Sequence, residues 1–267
     1  KFDFSGLLCR INKLNHKHGR LRVSPQEESR FIRMKIKHLT ITLLVVFGLI
    51  GASWPFDWLF PHPNRESPGT KAWIEKEVQI LHAQASNLDE KVLRLGLTAY
   101  ARAQKQGYVR KQLLTVIDYS KPSTEKRLWV FDLSRGRTIL YTWVSHGKNS
   151  GKLNANSFSN SNGSLKSSIG VFITDQPYMG GHGISLRMRG LEKGFNDHAY
   201  ARNIVFHGAP YVNGSVSRQL GRMGLSWGCP AVSTDTIKPL VDTIKGNTVV
   251  FAYYPDRNWL RNSRYVA

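Results

Sequence analysis

The chain has 267 residues, 41% of them hydrophobic and 11% aromatic, enough to bury a substantial core and too apolar for wholesale disorder. Its formal net charge of +20, from 38 Lys/Arg against 18 Asp/Glu, calls for an anionic surface or partner: nucleic acid, an anionic membrane or the bacterial cell wall. With only two cysteines, Cys9 and Cys229, no disulfide framework is implied.

Residues 1–33 have no sustained periodicity and read as an upstream extension preceding a start at Met34. Residues 34–53 read as a signal peptide or N-terminal anchor. Met34-Lys35-Ile36-Lys37 is a short basic n-region and 39–52 an apolar run, with Gly51 and Ser53 at the −3 and −1 positions of a cleavage before Trp54. An uncleaved anchor needs the apolar run to extend through Trp54 and Phe56 to reach the roughly 20 residues of a spanning helix. Either way the body is exported, and contact with a membrane is expected only through that segment. Ten Lys/Arg and three Asp/Glu fall within 1–53, leaving 28 and 15 for 54–267, so the body is basic in its own right. Its basic residues are scattered rather than striped or interleaved with aromatics, which argues against a nucleic-acid groove.

Residues 54–69 are a proline-rich linker. A helical hairpin is expected over 70–110. Its first helix runs from Lys71 to Gln84 with Trp73, Ile74, Val78 and Leu81 on one face. The second starts at a capping box, Asn87 with Glu90, and stops at Gly107.

From residue 112 the periodicity is that of strands: 113–117, 127–133 and 138–144, the last two joined by a turn at 134–137. A long Ser/Asn/Gly-rich loop covers 147–168. Strands resume at 169–174 and 203–207, a helix capped by Ser233 covers 234–245, and a last strand covers 248–254 before a tail at 257–267. Many short strands with few helices predict a mainly β fold, a sandwich or partly closed barrel over 111–256.

The chemistry concentrates in Ser226-Trp227-Gly228-Cys229, with His207-Gly208 lying 22 residues before the cysteine. A free thiol is only a few per cent ionised near neutrality and needs a base, and His207 is the candidate. The N–H groups of Trp227, Gly228 and Cys229 are candidate oxyanion donors, whereas Pro230 has none to give. Ser226 is a candidate for orienting His207 or a loop carbonyl. His146, His182, His198 and His207 show neither His-x-Glu nor His-x-x-x-His spacing, so no metal is expected. His182, in Gly180-Gly181-His182-Gly183, is a candidate for lining the cleft.

With Ser168-Ile169-Gly170-Val171-Phe172, Gly190–Asp197 and Ile204–Ala209, these motifs resemble the YkuD-type L,D-transpeptidases, closest to the murein L,D-transpeptidase catalytic domain family, over roughly residues 86–256. The resemblance implies a cysteine nucleophile, Cys229, with His207 as base, and no cofactor. It also implies a peptidoglycan tetrapeptide stem as substrate, D-alanine as leaving group, an amine acceptor, and a periplasmic or cell-envelope location on an anionic wall. An L,D-carboxypeptidase and a cell-wall cysteine peptidase or amidase are the alternative enzymes, and a basic peptidoglycan-binding module the non-enzymatic alternative. Many members carry Arg or Asn two residues after the cysteine, where this chain has Ala231, and Trp227 replaces a common His. The substrate carboxylate is therefore expected on another group, Arg222 first, then Arg218, Arg187 and Arg189, with Gly208 and Tyr211 as further substrate contacts.

Overall fold

The computed structural model describes residues 66–267, so the expectations for residues 1–65 lie outside the described residues. Helix α1 spans Lys71–His82, its first turn closed by the Thr70 hydroxyl, which accepts the Trp73 N–H, and it buries Trp73, Val78 and Leu81. Helix α2 spans Glu90–Lys105. Its cap is Asp89 rather than Asn87: the Asp89 carboxylate takes the N–H groups of Lys91 and Val92 at 2.7 and 3.3 Å. A carboxylate directly before the first turn satisfies orphan donors and meets the positive end of the helix dipole, while the Asn87 amide turns to the Tyr141 hydroxyl.

The strands are β1 (Leu113–Asp118), β2 (Leu128–Asp132), β3 (Arg137–Thr142), β4 (Gly170–Gly180), β5 (Gly183–Gly190), β6 (Val205–Gly208), β7 (Ala231–Val232) and β8 (Val249–Tyr253). They form one sheet in the order β3-β2-β1-β8-β4-β5-β6-β7. Neighbours are antiparallel except β1 with β8 and β6 with β7. Helix α2 lies on β1 and β8, and Gly96 allows the close approach: a Cβ there would stand 3.1 Å from the Phe251 ring. Buried by α2 on one side and the interior on the other, β8 is apolar at every position (Val249-Val250-Phe251-Ala252-Tyr253), as a strand covered on both faces should be.

The chain leaving β3 runs on to the opposite edge of the sheet. Ser145 N–H donates to the Ala231 carbonyl at 2.8 Å, Ser226 N–H to the His146 carbonyl at 3.0 Å, and Lys148 N–H to the Ser226 carbonyl at 2.8 Å. These bonds stitch the two edges and give the expected mainly β, partly closed barrel.

Several elements differ from the sequence reading. β4 continues to Gly180 and pairs with β5 in a long hairpin whose register shifts before Pro177. The alternation in β5 of Ile184, Leu186 and Met188 with Ser185, Arg187 and Arg189 is that of a half-buried strand. A short helix α3 (Gly214–Leu220), capped by Asn213, follows β6, and the two-residue β7 is too short to leave a periodic signature. Helix α4 (Thr234–Ile244) starts at Ser233 as expected. The 257–267 stretch holds α5 (Arg257–Asn262) and is anchored. Trp259 Nε1 donates to the buried Glu192 at 3.1 Å, and the Ser263 hydroxyl also donates to that carboxylate.

Candidate active site

The parallel pairing of β6 and β7 sets His207 opposite Ala231. Two residues earlier on each chain, Cys229 therefore falls beside Val205, whose N–H donates to Sγ at 3.5 Å. The thiol faces the Asn203 carbonyl at 3.5 Å. Asn203 has φ 53, in the left-handed region that Asn tolerates better than most residues. His207 follows Val205 by two positions, so its side chain emerges from the same face of β6. Its Nδ1 lies 3.0 Å from the Gly208 carbonyl. A carbonyl only accepts, so Nδ1 carries the proton and the Nε2 lone pair is left to act as a base.

The turn that presents Cys229 is built by Ser226 and Gly228. The Ser226 hydroxyl donates to the Cys229 carbonyl at 2.7 Å and accepts the Gly228 N–H at 3.1 Å. The Ser226 hydroxyl thus caps its own turn, and the acceptor at His207 Nδ1 is the Gly208 carbonyl. Gly228 has φ 127, and a Cβ on it would stand 2.8 Å from the Lys166 carbonyl. Since Gly228 N–H is committed to Ser226, the N–H groups of Trp227 and Cys229 are the donors left for an oxyanion. Neither donates to a protein acceptor among the described residues. Trp227 itself is 75% exposed, with the Lys148 ammonium 5.8 Å from its ring centre.

Burial pushes the Cys229 thiol up from its ordinary pKa, opposed by the Val205 N–H and the Arg202 guanidinium. Burial pushes His207 down, His182 adds to that, and the Gly208 carbonyl opposes it. Both shifts favour the uncharged forms, thiol and imidazole. Tyr211, raised to about 12 by burial and by facing Cys229, keeps its phenolic proton. His182, at the tip of the β4–β5 hairpin, stacks on His207 with ring centres 4.6 Å apart.

His182 stacks on His207, Tyr211 faces Cys229, and Ser226 bonds Gly228 and Cys229 in the turn that also carries Trp227; among the described residues no hydrogen bond joins the candidate arginines to these groups. Arg189 is bound to Asp175 at 2.9 and 3.0 Å. Arg187 lies over the rings of Tyr178 and Tyr200 at 4.7 and 5.3 Å. Arg218 is exposed on α3, and Arg222 donates to the Met223 carbonyl at 2.9 Å. Ala231 is fully buried in a small cluster with Ala209, Val212 and Met223, which leaves no room there for a carboxylate-holding side chain.

Sequence reasoning missed Arg202, Ser167 and the pair Arg127–His146. Ser167 bridges the loop to the Gly228–Cys229 turn, its hydroxyl donating to the Gly228 carbonyl and accepting the Gly147 N–H, both at 3.0 Å. Arg127 is wholly buried, bonded to the Val144 and Lys121 carbonyls and to His146 Nδ1 at 2.7 Å. The only signal for Arg202 was a basic residue directly ahead of the strand that carries His207. Among the described residues no group of three His, Cys, Asp or Glu side chains is placed to hold a metal ion, and no helix there is long and apolar enough to cross a membrane.

No curated protein matches the chain. Among solved structures it is similar to an L,D-transpeptidase from Mycobacterium smegmatis, at 15% identity and a TM-score of 0.33 over 54% of this chain and 59% of that one. It is also similar to the helical cell shape determining protein Pgp2 (K307A mutant) from Campylobacter jejuni, at 13% identity and a TM-score of 0.36 over 60% of this chain and 55% of that one. The chain thus spans less than two thirds of the length of either. The family model of the L,D-transpeptidase catalytic domain (YkuD_2) matches residues 84–253, which takes in α2, the whole sheet and the Cys229 turn. The chain belongs to the L,D-transpeptidase catalytic domain family.

Proposed function

We propose that this protein is a peptidoglycan L,D-transpeptidase with Cys229 as nucleophile and His207 as base. The observation that carries the reading is the arrangement on β6 and β7: the parallel pairing sets His207 opposite Ala231, two residues after Cys229, with Nδ1 held at the Gly208 carbonyl and Sγ at the Val205 N–H. Residues 111–256 are the catalytic unit, with the 70–110 hairpin as its support. The enzyme works in the bacterial periplasm or cell envelope, exported through residues 34–53, and its basic body suits the anionic wall.

In the first half-reaction Nε2 takes the thiol proton as Sγ attacks the acyl carbon of the tetrapeptide stem. The oxyanion is received by the N–H groups of Trp227 and Cys229. As the intermediate collapses the C–N bond breaks, the protonated His207 returns its proton to the departing D-alanine amine, and a thioester remains on Cys229. In the second half an acceptor amine attacks the thioester, gives its proton to His207, and displaces the sulfur, which recovers the proton. Water in place of the amine makes the same site a carboxypeptidase.

The test is acylation by a carbapenem, read as a mass adduct. The adduct is expected on Cys229, absent from Cys229→Ala, and absent from His207→Ala at neutral pH. Stem-tetrapeptide exchange retained in Cys229→Ala would sink the proposal. Wall binding without turnover in either protein would favour the non-enzymatic binding module.

A further inference from the structure

Arg202 precedes β6 by three residues, half-buried among acceptors that carry no charge. One terminal nitrogen donates to the Ser159 carbonyl and the Ser168 hydroxyl, both at 2.5 Å. The other donates to the Ser164 hydroxyl at 3.1 Å and the Lys166 carbonyl at 2.7 Å. One side chain thereby ties down the end of the Ser/Asn-rich loop. That end bears directly on the nucleophile turn: the Lys166 carbonyl lies against Gly228, and Ser167 bonds the Gly228 carbonyl. Leu165, between two of these contacts, has φ 56, a conformation a free loop would rarely hold. The residue after Arg202 is Asn203, whose carbonyl faces the Cys229 sulfur.

A guanidinium withdrawn from water needs a counter-charge as well as hydrogen bonds, since dipoles alone only partly offset its lost hydration. No carboxylate pairs with Arg202 among the described residues. The acid that favours its charged form is the Cys229 thiol, and the effect is mutual. The guanidinium charge is thus matched by no carboxylate and lies one residue from the Asn203 carbonyl that faces the Cys229 sulfur.

We propose that Arg202 is a positioning residue that clamps the 159–168 segment against the Gly228–Cys229 turn and provides the counter-charge of the Cys229 thiolate. This rests on Cys229 being the nucleophile, but it is tested on the ionisation of the thiol itself, independently of transpeptidation. If Cys229 proved to have no acyl-transfer role, the titration would still report whether Arg202 faces it.

The experiment is the pH dependence of Cys229 alkylation by iodoacetamide in the full chain carrying Cys9→Ala, with the thiolate followed by its ultraviolet absorbance. Removing the charge in Arg202→Gln is expected to move the midpoint up by about one unit and so slow alkylation near neutrality about tenfold. Arg202→Lys, which keeps the charge and loses the fork, is expected to stay near the wild-type midpoint, with faster proteolysis at Lys166 as the loop loosens. In the wild-type protein the Arg202 Nε–H resonance is expected to shift with the same midpoint as the thiol, a readout that needs no variant to fold. An unchanged midpoint in Arg202→Gln, an equal rise in Arg202→Lys, or an Arg202 resonance blind to the thiol titration would each overturn the proposal.

Discussion

The imidazole of His182 lies stacked on that of His207, ring centres 4.6 Å apart and planes 25° from parallel. The stack joins the tip of the β4–β5 hairpin to the proposed base and couples the two rings electrically, because a proton on His182 disfavours one on His207. Removing His182 in His182→Ala should let the pKa of His207 climb back toward the ordinary 6.5. His207 accepts a proton only when neutral, so a higher pKa moves the acid limb of kcat/KM to higher pH and lowers activity at pH 6 more than at pH 8. The His207 ring-proton NMR titration checks the same shift without substrate, and an unmoved midpoint would mean that the stack carries no coupling.

Ser226→Ala should uncouple the turn without touching the base. Two hydrogen bonds are lost, to Gly228 N–H and the Cys229 carbonyl. A buried N–H left unpaired costs ~1–3 kcal/mol of stability. The expected kinetic signature is a lower kcat with an unchanged acid limb, since Gly208 rather than Ser226 holds Nδ1 of His207. A pH profile displaced along with kcat would place Ser226 in contact with the base after all.

Gly228→Ala should be among the most damaging single changes. It forces a side chain into φ 127 and onto the Lys166 carbonyl, 2.8 Å from the new Cβ. The strained backbone alone costs ~1–3 kcal/mol, and the clash moves the turn that carries the sulfur. Carbapenem acylation should fall by more than the loss in thermal midpoint accounts for; equal acylation in the folded fraction would show that the turn tolerates the shift.

His146 sets an acid limit on stability. Burial, reinforced by Arg127 and Arg222, depresses its pKa to about 4 from the ordinary 6.5. The unfolded chain therefore takes up a proton at a pH where the folded one does not. The stabilisation is fully present above about 6.5 and is lost as pH falls toward about 4, a change of ~3 kcal/mol. Urea unfolding midpoints measured from pH 7 to pH 4 should show this slope, and His146→Gln should flatten it.

Much of this architecture could be read from the chain because it is local. The apolar run of β8, the Ser233 cap of α4 and the helical faces of Trp73, Val78 and Leu81 announce themselves within a few residues. The proposed nucleophile and base stand out in the sequence for a different reason: a thiol and an imidazole each set among small residues are rare. What escaped depended on partners far along the chain. Asn87 with Glu90 mimics a capping box, but Asp89, directly before the first turn, is the cap. Arg202 draws its meaning from Ser159, Ser164, Lys166 and Ser168, and no spacing rule links them. Arg222, near the motif in sequence, is bonded through one nitrogen to the Met223 carbonyl, a contact no spacing rule announces. The β4–β5 hairpin was overlooked although β5 alternates cleanly, since Pro177 and the glycines at its tip break the run.

The half-buried sulfur between the Val205 N–H and the Asn203 carbonyl has a chemical consequence beyond turnover. Oxidation to the sulfenic acid proceeds through the thiolate, so a cysteine held in its protonated form by burial is a poor target for peroxide. For a protein proposed to work outside the reducing cytoplasm, with no second described cysteine to rescue the first through a disulfide, that reluctance to ionise preserves the reagent. On the proposed reading, the centre waits mostly as a thiol and ionises as the acyl group is attacked.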